Sequence, residues 1–239
     1  MMEHLIAGAQ ELGVTLSPEQ VARFELYYQE LVAWNAHMNL TAITDYDEVQ
    51  VKHFLDSLTC LLAMEARAPG QRLLDVGSGA GFPGLVLQIV CPELEVTLLE
   101  ATRKKAGFLG YISGRLGLAK IRIVNARAED AGRDPEYREA YDWVVARAVA
   151  DLAELVEYML PFCRLGGACL ALKGGEISGE IEAAAKAIEV LGGRLARAIP
   201  VRLSALRDLR RQVLVVEKIR PTPSAYPRRP GIPHKRPIQ

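Results

Sequence analysis

The residues best able to do chemistry lie in Leu73-Leu74-Asp75-Val76-Gly77-Ser78-Gly79-Ala80-Gly81-Phe82-Pro83-Gly84. An apolar run ends in an acid, four glycines fall within eight residues, and a helical pattern follows. Strand, tight glycine turn and helix in that order build a nucleotide-type site at the carboxyl edge of a parallel sheet. Glycine turns the backbone through positive φ and lets a ligand approach where a Cβ would stand. A second acid, Glu100, ends the next apolar run (Val96-Thr97-Leu98-Leu99), 23 residues after Gly77. A carboxylate at that place can accept both hydroxyls of a ribose.

The spacing separates the two cofactors that use such a turn. A dinucleotide fingerprint needs a third glycine three places after the second, for close helix–strand packing. Gly77 and Gly79 fit that pattern, but the third position is Phe82. The run Asp75-x-Gly77-x-Gly79-x-Gly81 resembles motif I of the S-adenosyl-L-methionine (AdoMet) dependent methyltransferases, whose glycine loop accommodates the methionine end of the cofactor.

The elements that must position this loop follow from periodicity. Met1–Leu12 suits a short helix stopped by Gly13, and Ser17-Pro18-Glu19-Gln20 is a capping-box start for a second helix reaching about Met38. Tyr27 and Trp34 are packing residues on that helix, with base stacking as the rival role. A third helix is expected from about Asp47 to Met64, and His53, Asp56 and Ser57 share part of one face. Strands are suggested at Arg72–Val76, Glu95–Glu100, Ile121–Asn125, Trp143–Arg147 and Ala168–Lys173. They alternate with helices near Pro83–Val90, Arg103–Leu116, Asp151–Pro161 and Gly179–Leu191. Two final strands, Gly193–Val201 and Arg211–Ile219, have no helix between them, so one is reversed. The expectation is an α/β class I methyltransferase fold: a seven-stranded, mostly parallel sheet with helices on both faces. The division is a helical extension over 1–66, a core over 67–219 and a tail over 220–239.

The formal charge of zero conceals an asymmetry. From Arg220 onward there are five Lys/Arg and no acid, which leaves 24 basic against 29 acidic residues before it. The tail also holds six of the thirteen prolines, so it is expected to be extended, polyproline-like or disordered. Its Arg228, Arg229, Lys235 and Arg236 suit a phosphate backbone. Arg103, Lys104, Lys105 and Arg115 offer a second basic face, with a solvated helix surface as the plain alternative. Four scattered cysteines and four isolated histidines indicate neither a disulfide framework nor a metal site, which fits a reducing cytoplasm. The first residues lack the basic and apolar regions of a signal peptide, and no apolar run is long enough to span a membrane.

Methyl transfer from a sulfonium is an in-line displacement, and acceptors leave different marks. The Asn/Asp-Pro-Pro-Tyr/Phe box of amino methyltransferases is missing after strand four, which ends Val145-Ala146-Arg147-Ala148-Val149. Cys163 and Cys169 fall around strand five, not in the Pro-Cys step common in cytosine C5 enzymes. An acceptor already nucleophilic, such as guanine N7, fits this gap.

The sequence resembles the 16S ribosomal RNA methyltransferase G family, also called glucose-inhibited division protein B, over nearly its full length. The resemblance rests on Met38-Asn39-Leu40-Thr41, Lys52-His53-Phe54-Leu55-Asp56-Ser57-Leu58, the Leu74–Gly84 loop, Arg127-Ala128-Glu129, Ala146-Arg147-Ala148 and Ala171-Leu172-Lys173-Gly174. It implies transfer of a methyl group from AdoMet to N7 of the guanine at position 527 of 16S rRNA, in the small ribosomal subunit. By the same resemblance Gly77, Gly79 and Phe82 line the AdoMet pocket, Glu100 holds the ribose, and Ala128 and Glu129 flank the adenine. Many relatives carry Asp where Glu100 stands. Arg147 faces cofactor and target base together. Asn39, His53, Asp56, Ser57 and Lys173 are candidates for ordering the RNA entrance. Bland alternatives exist for several: a structural ion pair for Arg147, a helix cap for Asp56, a surface position for Lys173. The rival functions are a small-molecule AdoMet methyltransferase and a non-catalytic ribosome-assembly RNA-binding protein, with a nicotinamide dehydrogenase more distant. Monomer is the default state.

Overall fold

The computed structural model describes residues 2–64, 69–147 and 150–238. The expected boundary near residue 66, and Ala148 of the Ala-Arg-Ala step, lie outside the described residues. Seven strands form one sheet in the order β3-β2-β1-β4-β5-β7-β6. Their spans are β1 Arg72–Val76, β2 Glu95–Leu99, β3 Ile121–Val124, β4 Tyr141–Arg147, β5 Cys163–Lys173, β6 Gly193–Pro200 and β7 Gln212–Lys218. The first five run parallel, and β7 is antiparallel to both β5 and β6. β7 is thus the reversed strand, and its first residue Gln212 pairs with Lys173 at the end of β5. The start of β7 therefore lies on the same edge as the carboxyl ends of the parallel strands.

The helices are α1 Glu3–Glu11, α2 Pro18–Met38, α3 Tyr46–Val49, α4 Asp56–Leu58, α5 Gly84–Val90, α6 Arg103–Arg115, α7 Ala128–Ala131, α8 Leu152–Met159, α9 Ser178–Val190 and α10 Ile232–Lys235. Two apolar clusters cover the two faces of the sheet. One joins Phe24, Tyr27, Phe54, Phe82, Leu85 and Phe108 to Leu73 and Leu98; the other joins α8 and α9 to Leu74, Val76, Val144 and Leu214. Side chains of a strand alternate between faces, and so Leu73 and Leu74 enter different clusters. The expected capping box is present at α2: Ser17 Oγ accepts the Gln20 N–H, and Gln20 Oε1 accepts the Ser17 N–H.

Two expectations are corrected. The third helix is not uniform: α3 passes into a π-helical stretch, Gln50–Leu55, then α4, then a 3-10 turn at Thr59–Leu62. Hydrogen bonds from i to i+5 widen the helix there, a feature frequent at functional sites. The tail is not a free arm either. Arg138 donates to the carbonyls of Gly132, Thr222, Pro223 and Tyr226, and Arg228 is bound by Glu157. Proline disfavours long regular elements, yet the tail holds one helical turn, α10, and docks through its carbonyls and side chains.

Candidate active site

The glycine turn projects from the end of β1 with Gly77, Gly79 and Gly81 at φ of 70°, 59° and 103°. At Gly81 a Cβ would stand 2.5 Å from the Tyr27 hydroxyl and closer still to Leu85. The turn is clamped from three sides. Tyr27 of α2 donates to the Ala80 carbonyl at 2.5 Å. The buried Asp75 accepts the Gly84 N–H at 2.9 Å through Oδ2, and among the described residues its buried Oδ1 has no hydrogen-bond partner. Burial accordingly pushes the Asp75 carboxyl up to about 7. Glu100 is also buried, and it accepts the N–H of Gly79 at 2.9 Å and that of Thr102 at 2.7 Å, one on each oxygen. Each of its oxygens keeps a second lone-pair direction for a hydroxyl.

Phe82 is the hub of the far side of the turn. The His53 ring stacks on it at 4.6 Å and 19°, Tyr27 stacks at 5.3 Å, and the Arg147 guanidinium lies 5.0 Å above its centre. Arg147 ends β4, beside β1, and its side chain crosses to the π-helical stretch. It donates to the Lys52 carbonyl at 2.8 Å, to Asp56 Oδ2 at 3.1 Å and to His53 Nδ1 at 3.2 Å. The same Nδ1 lies 3.2 Å from the Lys52 carbonyl, so it meets a donor and an acceptor at equal distance, and Nε2 faces Thr41 Oγ1 at 2.8 Å. Burial, reinforced by Arg147, pushes the imidazole down to about 3. His53 is therefore neutral near pH 7, and all its polar atoms are engaged.

Asp56 is 1% exposed, with Arg147 on one oxygen and Arg211 Nε 3.0 Å from the other. The Arg211 approach is an ion pair whose angle falls short of a hydrogen bond. Sequence reasoning missed Arg211. The signal was available: a residue just before a reversed strand arrives at the carboxyl edge of the parallel ones. Thr41 and the acids Glu154 and Glu157 were also missed, and periodicity marks none of them.

Two cavities open at the site, one at Gly77 of the glycine turn and the other at Arg147. One, of about 240 Å³, is lined by Val76, Gly77, Leu99, Ala128, Glu129, Glu154 and Tyr158 among others. The other, of about 470 Å³, is lined by Lys52, His53, Arg147, Lys173, Gly174 and Arg211 among others. The sequence candidates divide accordingly. Gly77, Ala128 and Glu129 meet at the first cavity, and His53, Arg147 and Lys173 at the second. Lys173 is held by Glu180 at 2.5 Å and by the Ala150 carbonyl at 2.6 Å. Asn39 is exposed as the left-handed C-cap of α2. Ser57 does not reach the entrance: it is fully buried, and its hydroxyl donates to the His53 carbonyl at 2.6 Å. Asp56 is likewise an internal counter-ion and no surface contact. Arg228 is committed to the buried Glu157 at 2.6 Å, while Arg229, Lys235 and Arg236 are exposed. Of the second basic face, Arg103 and Lys104 are exposed and Arg115 pairs with Glu30. No group of three or more His, Cys, Asp or Glu among the described residues could hold a metal ion.

A family profile described as rRNA small subunit methyltransferase G matches residues 20–205. Proteins named ribosomal RNA small subunit methyltransferase G are similar along the whole length. The one from Dehalococcoides mccartyi is 51% identical, covering 99% of this chain and 100% of the relative. That from Roseiflexus castenholzii is 52% identical with the same coverage. The chain belongs to this family. The family's methyltransferase fold agrees with the sheet order: a SAM-dependent methyltransferase from Aquifex aeolicus superposes with a TM-score of 0.55 at 15% identity, covering 76% of this chain and 97% of that one. In this member of the G family, the loop sequence Gly77–Gly84 and the Lys52–Leu58 segment form one packed unit around Phe82.

Proposed function

We propose that the chain transfers the methyl group of AdoMet to N7 of a guanine in small-subunit ribosomal RNA, at position 527 of 16S rRNA. The observation that carries the reading is the place of Arg147: it touches the glycine turn through Phe82 and lines the 470 Å³ cavity beside it. A methyl donor on one side and an acceptor base on the other would meet beside this side chain.

The residues around the smaller cavity fit AdoMet. Val76 and Leu99 give apolar walls. Glu129 is 4% exposed and carries a carboxylate suited to the amino group of adenine, with the Ala128 backbone beside it. Glu100 holds the turn and has lone pairs left for the ribose hydroxyls. When bound, AdoMet supplies an electrophilic methyl group on a sulfonium. The N7 lone pair forms the new N–C bond as the C–S electron pair leaves to sulfur, so no proton need be removed beforehand. This chain's residues therefore orient. Arg147 and Arg211 stay cationic and suit the guanine O6 or a neighbouring phosphate. His53, neutral and saturated, holds the wall they stand on. Arg229, Lys235, Arg236, Arg103 and Lys104 offer phosphate contacts on the rim. We take the enzyme to act in the cytoplasm, as a monomer.

The test is methyl transfer from labelled AdoMet to 30S subunits and to protein-free 16S rRNA, with N7-methylguanine mapped by borohydride–aniline cleavage. Cleavage at the single guanine establishes atom and site together. Transfer to neither substrate, with AdoMet binding intact, would overturn the assigned acceptor.

A further inference from the structure

The tail runs past the cofactor side of the molecule, and its last turns face three acids. Glu129 lies in α7; Glu154 and Glu157 lie in α8 and Glu157 is fully buried. Each acid is met by one residue of the tail. Arg228 gives its backbone N–H and a two-pronged guanidinium contact to Glu157, at 2.6–3.1 Å. The Gly231 N–H donates to Glu129 Oε1 at 2.9 Å. His234 Nδ1 lies 3.1 Å from Glu154 Oε2, whose other oxygen accepts the Tyr158 hydroxyl at 2.8 Å. Glu129, Glu154 and Tyr158 all line the 240 Å³ cavity. The strap is seated elsewhere too: Pro227 packs so closely on Gly132 that a Cβ there would meet its ring at 3.0 Å. Gly231 has φ 80°, a conformation open to glycine, and this aims its N–H at the carboxylate.

We infer that the C-terminal segment is part of the cofactor site: Gly231 fixes the rotamer of Glu129, and through it the selection of adenine. The inference rests on placing adenine in the 240 Å³ cavity. Glu129 has two oxygens. With Oε1 held by the strap, Oε2 remains to accept from an exocyclic amine, in one orientation. Without the strap the carboxylate on α7, a helix of only four residues, would swing, and the ordering cost would fall on ligand binding. Gly231 is thus a positioning residue. The basic character of the tail serves docking as well as RNA: Arg228 is spent on Glu157 inside the protein.

The test uses the full-length protein with Gly231→Pro, which removes the N–H and forbids positive φ, and two probes, S-adenosylhomocysteine and S-inosylhomocysteine. The second carries a carbonyl where adenine has its amine, so a fixed carboxylate repels it. Calorimetric titration of the unaltered protein is expected to favour the adenosyl probe by at least about tenfold. Gly231→Pro should weaken that probe by about tenfold and erode the preference. If the unaltered protein binds the two probes alike, the placement of adenine fails and the inference with it. If it discriminates and Gly231→Pro discriminates as well, with unchanged affinity, the strap role alone is overturned. A second measurement does not depend on the variant folding. By reciprocity of coupling, S-adenosylhomocysteine must slow amide exchange across residues 229–236 of the unaltered protein. Equal exchange with and without the ligand would overturn the strap role.

Discussion

Asp75→Asn tests how the glycine turn is held, and the pH dependence of its effect has a sign fixed by the structure. Burial is the main force on the Asp75 carboxyl and pushes it from 3.8 to about 7, against the lowering by the Gly84 N–H and by Arg147. The native protein therefore binds the extra proton between those two pH values. The contribution of the group to stability is complete below about pH 4 and is lost as pH rises to about 7. At about 1.4 kcal/mol per unit, the loss over the window is about 4 kcal/mol. His53 runs the other way. Burial, then Arg147, takes it from 6.5 to about 3, so the unfolded chain binds the extra proton and stability falls as pH drops below 6.5. From about pH 4 to 6.5 the two slopes oppose each other in the unaltered protein, and asparagine at 75 removes one of them. Urea unfolding without cofactor, at half-unit steps from pH 4 to 8, should show the stability of Asp75→Asn minus that of the unaltered protein. The difference should climb by about 1.4 kcal/mol per pH unit and level off above about pH 7. A difference independent of pH would mean that the carboxyl titrates alike folded and unfolded, and the burial argument would be refuted. A difference that fell with pH would mean that the native site prefers the carboxylate.

Other outcomes follow from the same packing. Asp56→Asn leaves Arg147 and Arg211 facing each other without their shared counter-ion, and should cost about 3 kcal/mol, the low end for a broken buried pair. Scanning calorimetry should then show a Tm lower by about 6–12 °C; a loss under about 1 kcal/mol would show that water already screens the cluster. Phe82→Ala removes the ring on which His53, Tyr27 and Arg147 converge and should cost about 3–5 kcal/mol in denaturant titration. A cost near that of a surface change would deny it the role of hub. Arg211→Ala should weaken binding to a 16S rRNA fragment and flatten the log–log salt dependence by about one unit, with AdoMet affinity within about twofold. An unchanged slope would remove Arg211 from the RNA face.

Legibility in the sequence followed the physics of each signal. The parallel strands were visible because buried β-strands are short apolar runs bounded by turns, and β1 was placed to the residue, at Arg72–Val76. The glycine turn was visible because positive φ selects a residue type. The π-helical stretch was not, since Gln50–Leu55 keeps an apolar face at ordinary helical spacing and the widened turn answers to packing around Phe54 and Phe82. Ser57 and His53 shared a face as expected, yet that face turns inward onto Phe82 and Arg147, because the partner surface is supplied by a loop some twenty-five residues on. Tail composition forecast an extended, polyproline-like or disordered segment; composition counts prolines and charges but does not see the buried Glu157 that receives Arg228. Arg211 was passed over for a related reason, because its partner Asp56 lies far away along the chain, in the first quarter of the sequence.

The charge around the larger cavity bears on the proposed reaction. Attack by N7 leaves the methylated base with a positive charge, so a cavity lined only with free cations would oppose its own product. Four cations stand there, Lys52, Arg147, Lys173 and Arg211. Three carboxylates meet them: Glu48 on Lys52, Glu180 on Lys173, and Asp56 between the two arginines. One positive charge is left over, and His53 adds none while it stays neutral. That excess falls at the arginine pair. Arg211 is the more exposed of the two, at 29% against 11% for Arg147, so it is the one placed to meet a phosphate. Arg147, with three donors spent on Lys52, His53 and Asp56, keeps its charge locally balanced next to the reacting base. The arrangement attracts an anionic backbone at the rim and lowers the electrostatic cost of a cationic product inside. In the proposed reaction, phosphate capture would fall to Arg211, and Arg147 would fix the wall against which the base is aligned.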